Sequence, residues 1–431
     1  MSKGLEFQSF IDVLKVEVVP ALGCTEPTAI AYAAAKAKEV LGVMPEKVNL
    51  TLSGNVLKNA MSVGIPGTGM KGVDIATAVG IVAGDASRKL EVLDNIPKEK
   101  IEEAKKLLEK NFIHRELSTA PNKLYIKVEV IKGTDSATVE IKDFHTAITL
   151  IEKNGKVLFS AQCDESHSND KAEDDRSFMT VKSILEFAET VPLEQIKFLE
   201  QIIELNGDIS KEGLHNDYGL KVGKTRIKNI EEGILSDNIE SLAMAMTSAA
   251  SDARMAGSTM AVMTNSGSGN QGITATVPVL AAAIKLNSTH EELLRALALS
   301  SLISIHMKNH LGRLSALCGC VVATTGSSCG ISYLMGGKYN EMVGTIKNVL
   351  GNITGMFCDG AKPGCSLKIA TGVSAGLQAA LLAKDGIIIG ADEGIVDEDI
   401  EKTIKNACAI GKDAMNETDK MILDIMVNKG Q

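Results

Sequence analysis

The sequence contains no tryptophan, and aromatic residues make up 3% of it. Its cores must therefore be built from Ala, Ile, Leu, Val and Met. Basic residues are not in excess either, because 45 Lys and Arg stand against 54 Asp and Glu, which gives a net charge of −9. An acidic chain is poorly suited to displace counterions from nucleic acid or to bind an anionic membrane. We therefore expect neither nucleic acid nor membrane as a partner.

A long hydrophobic run is also missing. The longest largely apolar stretch, Ile273 to Ile284, is too short to span a bilayer. The first ten residues carry Lys3 and Glu6, and no apolar segment of the signal-peptide type follows them. The eight cysteines lack the spacing of small disulfide-rich domains, so we expect reduced thiols. These features predict a cytoplasmic protein.

The first part of the chain, up to residue 176, contains the strand-like patterns. Four stretches alternate between apolar and polar residues, and an amphipathic helix is predicted over Pro97–Glu109 between the first two. The predicted strands are Lys47 to Ser53, Leu124 to Ile131, Ala137 to Ile141 and Lys156 to Ala161. A polar run from Asp164 to Arg176 is typical of a solvated connector. Residues 45–176 are therefore predicted to form a smaller α+β domain.

The remaining patterns are helical. Helices are predicted over residues 5–17 and 27–41, and the pattern is almost wholly helical after Ser177. Glycine-rich breaks are predicted at Gly257 to Gly272, Gly326 to Gly330 and Gly360 to Gly364. We expect an α+β fold in which residues 1–44 and 177–431 form a mostly helical domain and residues 45–176 are inserted into it.

Five of the eight cysteines fall in one late stretch, at Cys318, Cys320, Cys329, Cys358 and Cys365. Gly360, Pro363 and Gly364 make the step between the last two cysteines a tight turn that could direct both sulfurs toward one object. A third thiolate from Cys318 or Cys320 would complete a three-point site. Three thiolates suit an iron–sulfur cluster with one open iron. Structural zinc, which prefers four ligands at spacings absent here, and inert core thiols are the alternatives.

Two loops are candidates for binding a small anion. The run from Thr264 to Gly272 leads into an apolar helix predicted to begin between Ile273 and Pro278, and amides at a helix N-terminus bind carboxylate or phosphate. A second glycine-rich loop runs from Ser62 to Gly69. The candidate substrate-binding residues at the two loops are Lys58, Asn59, Asn265, Ser266, Ser268, Asn270 and Gln271. A flexible glycine loop is the alternative in both places.

Cys24 is the candidate catalytic residue. It stands one residue before Thr25, the predicted N-cap of the helix over residues 27–41. The partial positive charge at a helix N-terminus lowers a thiol pKa, and the resulting thiolate can act as nucleophile or proton acceptor. An inert buried cysteine is the alternative.

Four blocks of the sequence resemble the L-cysteine desulfidase family. They are Ala21 to Pro27, Asn265 to Gly272, Gly312 to Cys320 and Gly355 to Cys365. The resemblance extends over essentially the whole chain. A more distant likeness to the iron–sulfur L-serine dehydratases lies at Cys358-Asp359 and at Cys365, but those enzymes have Ser-Ser-Ser-His where this chain has Gly-Cys-Thr-Glu-Pro.

This resemblance implies a [4Fe–4S] cluster held by Cys318, Cys358 and Cys365, with its fourth iron free for the substrate. Cys320 remains a possible substitute for Cys318. The family's general base falls on Cys24, and the loop from Asn265 to Gly272 is where we expect the substrate carboxylate. Pyridoxal phosphate is not required.

The implied reaction is a β-elimination that converts L-cysteine and water into pyruvate, ammonia and hydrogen sulfide. Two alternatives stay open: dehydration of L-serine on the same cluster, and a non-catalytic sensor of thiol or iron status. We expect the partner to be the small-molecule substrate L-cysteine, and the protein to be a homo-oligomer, a dimer.

Overall fold

The computed structural model describes residues 3–161, 176–312 and 314–429. The first of these ranges contains both helices and strands. Its helices are α1 (Lys3–Glu17), α2 (Thr25–Leu41), α3 (Gly54–Ala60), α4 (Val73–Ala83) and α5 (Lys98–Leu108), with a 3-10 segment at Ala86–Glu91. Its strands are β1 (Pro20–Leu22), β2 (Lys47–Leu52), β3 (Ile113–Leu117), β4 (Tyr125–Lys132), β5 (Asp135–Lys142), β6 (Ile148–Lys153) and β7 (Lys156–Ser160).

The later ranges are almost entirely helical. The helices from residue 181 to 311 are α6 (Val181–Thr190), α7 (Leu193–Ile196), α8 (Glu200–His215), α9 (Val222–Glu231), α10 (Ile239–Met255), α11 (Gly269–Leu286) and α12 (His290–Leu311). They are followed by α13 (Gly319–Leu334), α14 (Tyr339–Ile353), α15 (Cys365–Lys384), α16 (Ile400–Ala409) and α17 (Asn416–Val427). Shorter elements are a 3-10 turn at Lys197–Leu199, a π-helical turn at Ile410–Ala414 and the strand β8 (Ala261–Met263).

Six strands form one sheet in the order β3-β2-β4-β5-β6-β7. β2 pairs in parallel with β3, and the other neighbours are antiparallel. The predicted α+β class is confirmed, and all four predicted strands are present. The pattern missed β3 and β6 because neither buries one face: β3 is largely exposed and every residue of β6 is half-buried. The predicted connector from Asp164 lies outside the described residues, except for Arg176.

Helix α2 belongs to the core of the sheet rather than to the helical part, where its sequence had placed it. Its alanines, among them Ala31 and Ala33, are fully buried with residues of β4 and β5. On its other side α4 approaches so closely that a Cβ on Gly80 would lie 2.5 Å from the Ala31 carbonyl oxygen. An alanine-rich helix has no broad stripe of large side chains, so its sequence does not indicate which neighbour it packs on.

The helical part is packed around α13. This helix contacts α11, α12, α14 and α15. The predicted break at Gly326 to Gly330 is wrong, because α13 runs through it without interruption. These glycines let helices approach instead: a Cβ on Gly326 would lie 2.1 Å from Ser304 Oγ and 2.4 Å from the Ser300 carbonyl oxygen, both in α12.

A small two-stranded sheet, formed by β1 and β8, connects the segment before Cys24 to the segment that follows α10.

Helix α15 is the one described helix that is long and apolar enough to cross a membrane, yet half of its apolar stretch is buried inside the protein. Core helices of globular proteins meet the same criterion, so this is weak evidence for a membrane span.

Gly326→Ala should destabilise the protein by about 1–3 kcal/mol, because the added methyl group overpacks the contact between α12 and α13. Denaturant unfolding followed by circular dichroism measures the change. Gly207→Ala in α8 is the matched control, since nothing lies within 4 Å of its Cβ position. It should stabilise the helix by about 0.5–1 kcal/mol. Equal stability of the Gly326 variant and the wild type would contradict this packing.

Candidate active site

Four helices begin at one cavity of about 120 Å³. Cys24, rather than the predicted Thr25, is the N-cap residue of α2, and Ser268 and Cys318 are the N-caps of α11 and α13. Cys365 is the first residue of α15. The partial positive charges of four helix N-termini therefore meet here, which favours thiolates and small anions in the cavity.

Most of the sequence-predicted site residues line this cavity. They are Cys24, Asn59, Ser268, Asn270, Gln271, Cys318, Cys358 and Cys365. Lys58, Asn265 and Ser266 do not line it and lie behind its wall. The seven cysteines of the described ranges are free thiols. The eighth, Cys163, lies outside those ranges.

A short backbone pairing places Cys318 beside Cys358. Leu317 and Phe357 form an isolated antiparallel bridge. The Cys318 amide donates to the Met356 carbonyl oxygen at 3.0 Å, and the Cys358 amide donates to that of Ala316 at 2.6 Å. Two segments about forty residues apart in sequence thereby present their cysteines at the same wall.

Lys58 holds the turn between Cys358 and Cys365 from behind. Its ammonium group donates to the Cys358 carbonyl oxygen at 3.2 Å and pairs with Asp419 of α17. Gly360 adopts a φ of 86°, and a Cβ there would lie 2.2 Å from the Lys58 carbonyl oxygen. Lys58 therefore positions the cysteine turn, whereas the sequence had suggested contact with the substrate.

Asn265 and Ser266 also act behind the cavity wall. The side-chain Nδ2 of Asn265 donates to the Ser301 carbonyl oxygen at 3.1 Å. Its Oδ1 accepts from Ser266 Oγ and Gln271 Nε2. These contacts fix the turn that leads into α11. The helix begins at Gly269, earlier than the predicted start between Ile273 and Pro278, so its first amides lie at the cavity.

The thiols of the three candidate ligands interact with one another. Burial raises the pKa of Cys318 well above its usual value, and the neighbouring Cys358 and Cys320 raise it further. The pKa of Cys365 is raised by burial and then by Cys358. The thiols thus share one low-dielectric site in which several thiolates require compensating positive charge.

Cys320 also lines the cavity, but its thiol is directed to its own surroundings. Its Sγ donates to the Lys368 carbonyl oxygen at 3.4 Å and lies 3.7 Å from Thr324 Oγ1. Burial raises its pKa to about 12. Cys318, at the N-cap and paired through the backbone with the Cys358 segment, fits better as the third ligand.

The residues fit an iron–sulfur cluster. In the described part of the chain, no three His, Cys, Asp or Glu side chains converge closely enough to hold a single metal ion. A cluster needs its ligands farther apart, because each cysteine binds a different iron. Three cysteine thiols from two segments of the chain, around one cavity, supply that donor set.

Cys24 is 4% exposed, and burial raises the pKa of its thiol to about 12. The expected lowering by the helix N-terminus is therefore outweighed, since desolvation of a thiolate is the larger effect. Two charged neighbours act in opposite directions: Arg254 lowers the pKa and Glu26 raises it. The thiol lies 3.7 Å from Glu26 Oε2, within reach of a hydrogen bond.

Sequence reasoning missed Glu26, Arg254 and Lys368, which all line the cavity. The signal for Glu26 was available, because it is two residues from Cys24. Arg254 stands near the end of an alanine-rich helix, and nothing in its local sequence indicates a site. Lys368 follows Cys365 by one helical turn and pairs with Asp359 at 2.5 Å.

Comparison with known proteins agrees with this geometry. The family described as serine dehydratase alpha chain matches residues 87–424, which include the three candidate ligands. The chain belongs to the serine dehydratase alpha chain family. Members of the family are lyases of the serine dehydratase type.

This member of the family also has relatives named UPF0597 proteins. It is 47% identical to one from Oleidesulfovibrio alaskensis, over 98% of this chain and 99% of the relative. It is 46% identical to one from Bacteroides thetaiotaomicron, over 99% of both chains. The relative from Photobacterium profundum is 43% identical over 98% of this chain and 99% of its own.

Lys58→Met should lower the free energy of unfolding by about 3 kcal/mol, because it leaves the Asp419 carboxylate with the neutral Asn55 amide but without its charged partner. It should also reduce the iron retained after anaerobic reconstitution, since the turn that carries Cys358 and Cys365 loses its support. Unfolding in denaturant and iron analysis measure the two effects.

Two variants control this test. Lys420→Met removes an exposed pair with Glu417 on the same helix and should change neither quantity. Lys58→Met combined with Asp419→Leu should recover part of the lost stability, because no charge is then left unpaired. A fully stable Lys58→Met protein with unchanged iron would show that the contact does not support the turn.

Proposed function

We propose that this protein is an iron–sulfur-dependent lyase that converts L-cysteine into pyruvate, ammonia and hydrogen sulfide. The observation that carries the proposal is the cavity itself, where Cys318, Cys358 and Cys365 meet Cys24 and the start of α11. Membership of the serine dehydratase alpha chain family supports β-elimination from a β-substituted α-amino acid as the reaction type.

Cys318, Cys358 and Cys365 would hold the cofactor. A bound [4Fe–4S] cluster with three cysteine ligands supplies one iron with a free coordination position, a Lewis acid for the leaving sulfur or oxygen of the substrate. The amides at the start of α11 hold the substrate carboxylate.

Cys24 is our proposed proton acceptor for the Cα hydrogen. It lines the same cavity, next to Cys365, with Arg254 beside it to favour the thiolate. Loss of the Cα proton and cleavage of the Cβ–S bond release sulfide and 2-aminoacrylate. The latter tautomerises to an imine, which water hydrolyses to pyruvate and ammonia.

L-Serine is the second candidate substrate, favoured by the family to which the chain belongs. A thiolate leaving group is the better match for a soft iron–sulfur site, whereas a hydroxyl is harder. Anaerobically reconstituted protein assayed with each amino acid, with sulfide and pyruvate measured separately, decides between them. Pyruvate from L-serine alone would overturn the desulfidase proposal, and turnover of neither would favour a sensor.

The wild-type protein should contain about four irons and four acid-labile sulfides per chain. Cys318→Ser, Cys358→Ser and Cys365→Ser should each lose the cluster, since serine is a poor ligand for it. Cys320→Ser should retain it and serves as the matched control. Iron and sulfide analysis with visible absorption spectra measures this. One zinc per chain without iron would refute the cluster, and loss of iron in the Cys320 variant would make Cys320 a ligand.

Cys24→Ala should retain the cluster while pyruvate formation falls at least about a hundredfold, the scale of a lost general base. Cys408→Ala is the control, because Cys408 lies in the hydrophobic core and does not line the cavity. Its thiol is fully buried and donates a hydrogen bond to the Met307 carbonyl oxygen. It should keep normal activity. If Cys24→Ala loses iron instead, Cys24 is a fourth ligand and the open-iron mechanism fails.

A further inference from the structure

Arg254 brings a buried positive charge to the cavity, and among the described residues it forms no ion pair with a carboxylate. The side chain is 3% exposed and lines the cavity. It donates to two neutral oxygens, the Gly23 carbonyl oxygen at 2.9 Å and Asn270 Oδ1 at 3.1 Å, and it also interacts with the Cys24 thiol. A guanidinium has five N–H donors, and within the described residues the Nε–H of Arg254 finds no acceptor. The guanidinium therefore keeps a donor with which it can bind an anionic group in the cavity.

Glu26 brings a buried negative charge to the same cavity. It is 7% exposed, and despite the opposing effect of burial the neighbouring His145 and the hydrogen bond from Asn59 lower its pKa to about 2, so the carboxylate is ionised. The nearest donors, Thr25 Oγ1 at 3.0 Å and Asn59 Nδ2 at 2.9 Å, are both neutral. His145 lies farther away, with its Nε2 at 3.9 Å.

Asn59 adds an unused acceptor beside Glu26. Its amide nitrogen donates to the carboxylate, and this fixes the orientation of the side chain. Its Oδ1 is buried and has no donor within the described residues. A carboxylate and an amide oxygen together form a suitable site for an ammonium group, which has three donors and no acceptor.

Both charges face the same thiol. Arg254 and Glu26 each act electrostatically on Cys24, and they do so with opposite sign. The proposed proton acceptor is thus next to one fixed cation and one fixed anion, and the start of α11 adds its amides on the side of the cation, where Arg254 contacts Asn270.

We propose that the cavity binds its substrate as a zwitterionic α-amino acid, with the carboxylate on Arg254 and the first amides of α11, and the ammonium on Glu26 and Asn59 Oδ1. This inference rests on the proposed function, and it specifies which ends of the substrate the protein recognises. The Cα hydrogen, which lies between the two charged groups of an α-amino acid, is then presented to Cys24.

Lys368 is the other cation of the cavity lining, and it is already occupied. Its ammonium group donates to Asp359 Oδ1 at 2.5 Å and to the Phe357 carbonyl oxygen at 2.8 Å. Asp359 also pairs with Lys362. Lys368 therefore stabilises the cysteine turn, and the substrate carboxylate would bind to Arg254 instead.

The test uses three small ligands that cannot undergo β-elimination: L-alanine, propionate and ethylamine. Calorimetric titration of the anaerobic, reconstituted wild type should show L-alanine binding at least about tenfold more tightly than either truncated ligand, because each lacks one charged hydrogen-bonded contact. If the wild type binds all three ligands with equal affinity, that result alone overturns the proposal.

Variants assign each end of the ligand. Arg254→Gln should weaken L-alanine and propionate about ten- to hundredfold and leave ethylamine unchanged or tighter. Glu26→Gln should weaken L-alanine and ethylamine by the same factor and spare propionate. Arg254→Lys, which keeps the charge but loses the planar fork, should recover part of the affinity for L-alanine and propionate.

Arg295→Gln is the matched control for loss of a mostly buried arginine. Arg295 is 13% exposed and binds the Ala188 and Val191 carbonyl oxygens away from the cavity. It should bind all three ligands as the wild type does. Equal weakening of all three by Arg254→Gln, with no recovery in Arg254→Lys, would show a merely structural role. Inactivity toward L-cysteine with this binding pattern intact would refute the proposed function alone.

Discussion

The meeting of four helix N-termini at one cavity is the constraint on which the rest of this site depends. Each helix brings a different functional group to its first turn: Cys24 on α2, Ser268 on α11, Cys318 on α13 and Cys365 on α15. Unpaired amides and aligned peptide dipoles make such a place electropositive. This potential partly offsets the cost of gathering thiols in a buried space, where desolvation favours their neutral form.

The convergence requires helices that approach closely. Gly326 brings α13 against α12, and Gly80 brings α4 against α2, in both cases at distances that leave no room for a methyl group. The two cores are linked at the site, because α2 packs on the sheet while its N-cap residue Cys24 lines the cavity together with residues of the helical part. Lys58 lies in α3, the helix that follows β2, and it completes this link by donating a hydrogen bond to the Cys358 carbonyl oxygen.

The charged residues at the cavity indicate the class of substrate more specifically than membership of the family does. Membership of the serine dehydratase alpha chain family indicates elimination from a β-substituted amino acid. Arg254, which has no ion-pair partner among the described residues, and the ionised Glu26 lie beside one thiol. An α-amino acid would match this arrangement, since it carries one charge of each sign. Cysteine and serine share both charges, so preference between them depends on the leaving group and on the metal centre, not on Arg254 or Glu26.

Local sequence patterns determined much of this protein. Alternation and helical periodicity depend on near neighbours, and they predicted the α+β class and four strands of the large sheet. The Cys358 to Cys365 turn, the loop before α11 and the Gly23-Cys24-Thr25-Glu26-Pro27 segment each carry their signal in a few adjacent residues. The sequence alone therefore indicates all three, and most of their predicted side chains line the cavity.

Tertiary structure alone decided the remainder. Arg254 lies in an unremarkable helix and reaches the site because β1 pairs with β8 and brings Gly23 to its guanidinium. Lys58, Asn265 and Ser266 lie behind the wall because side-chain direction depends on the neighbouring segments. Burial raises the pKa of Cys24, and the burial of a residue depends on the whole fold. The helix N-terminus, which would lower this pKa, can be predicted from the local sequence. Local patterns determine which groups are present, and long-range packing determines which of them meet and in what dielectric.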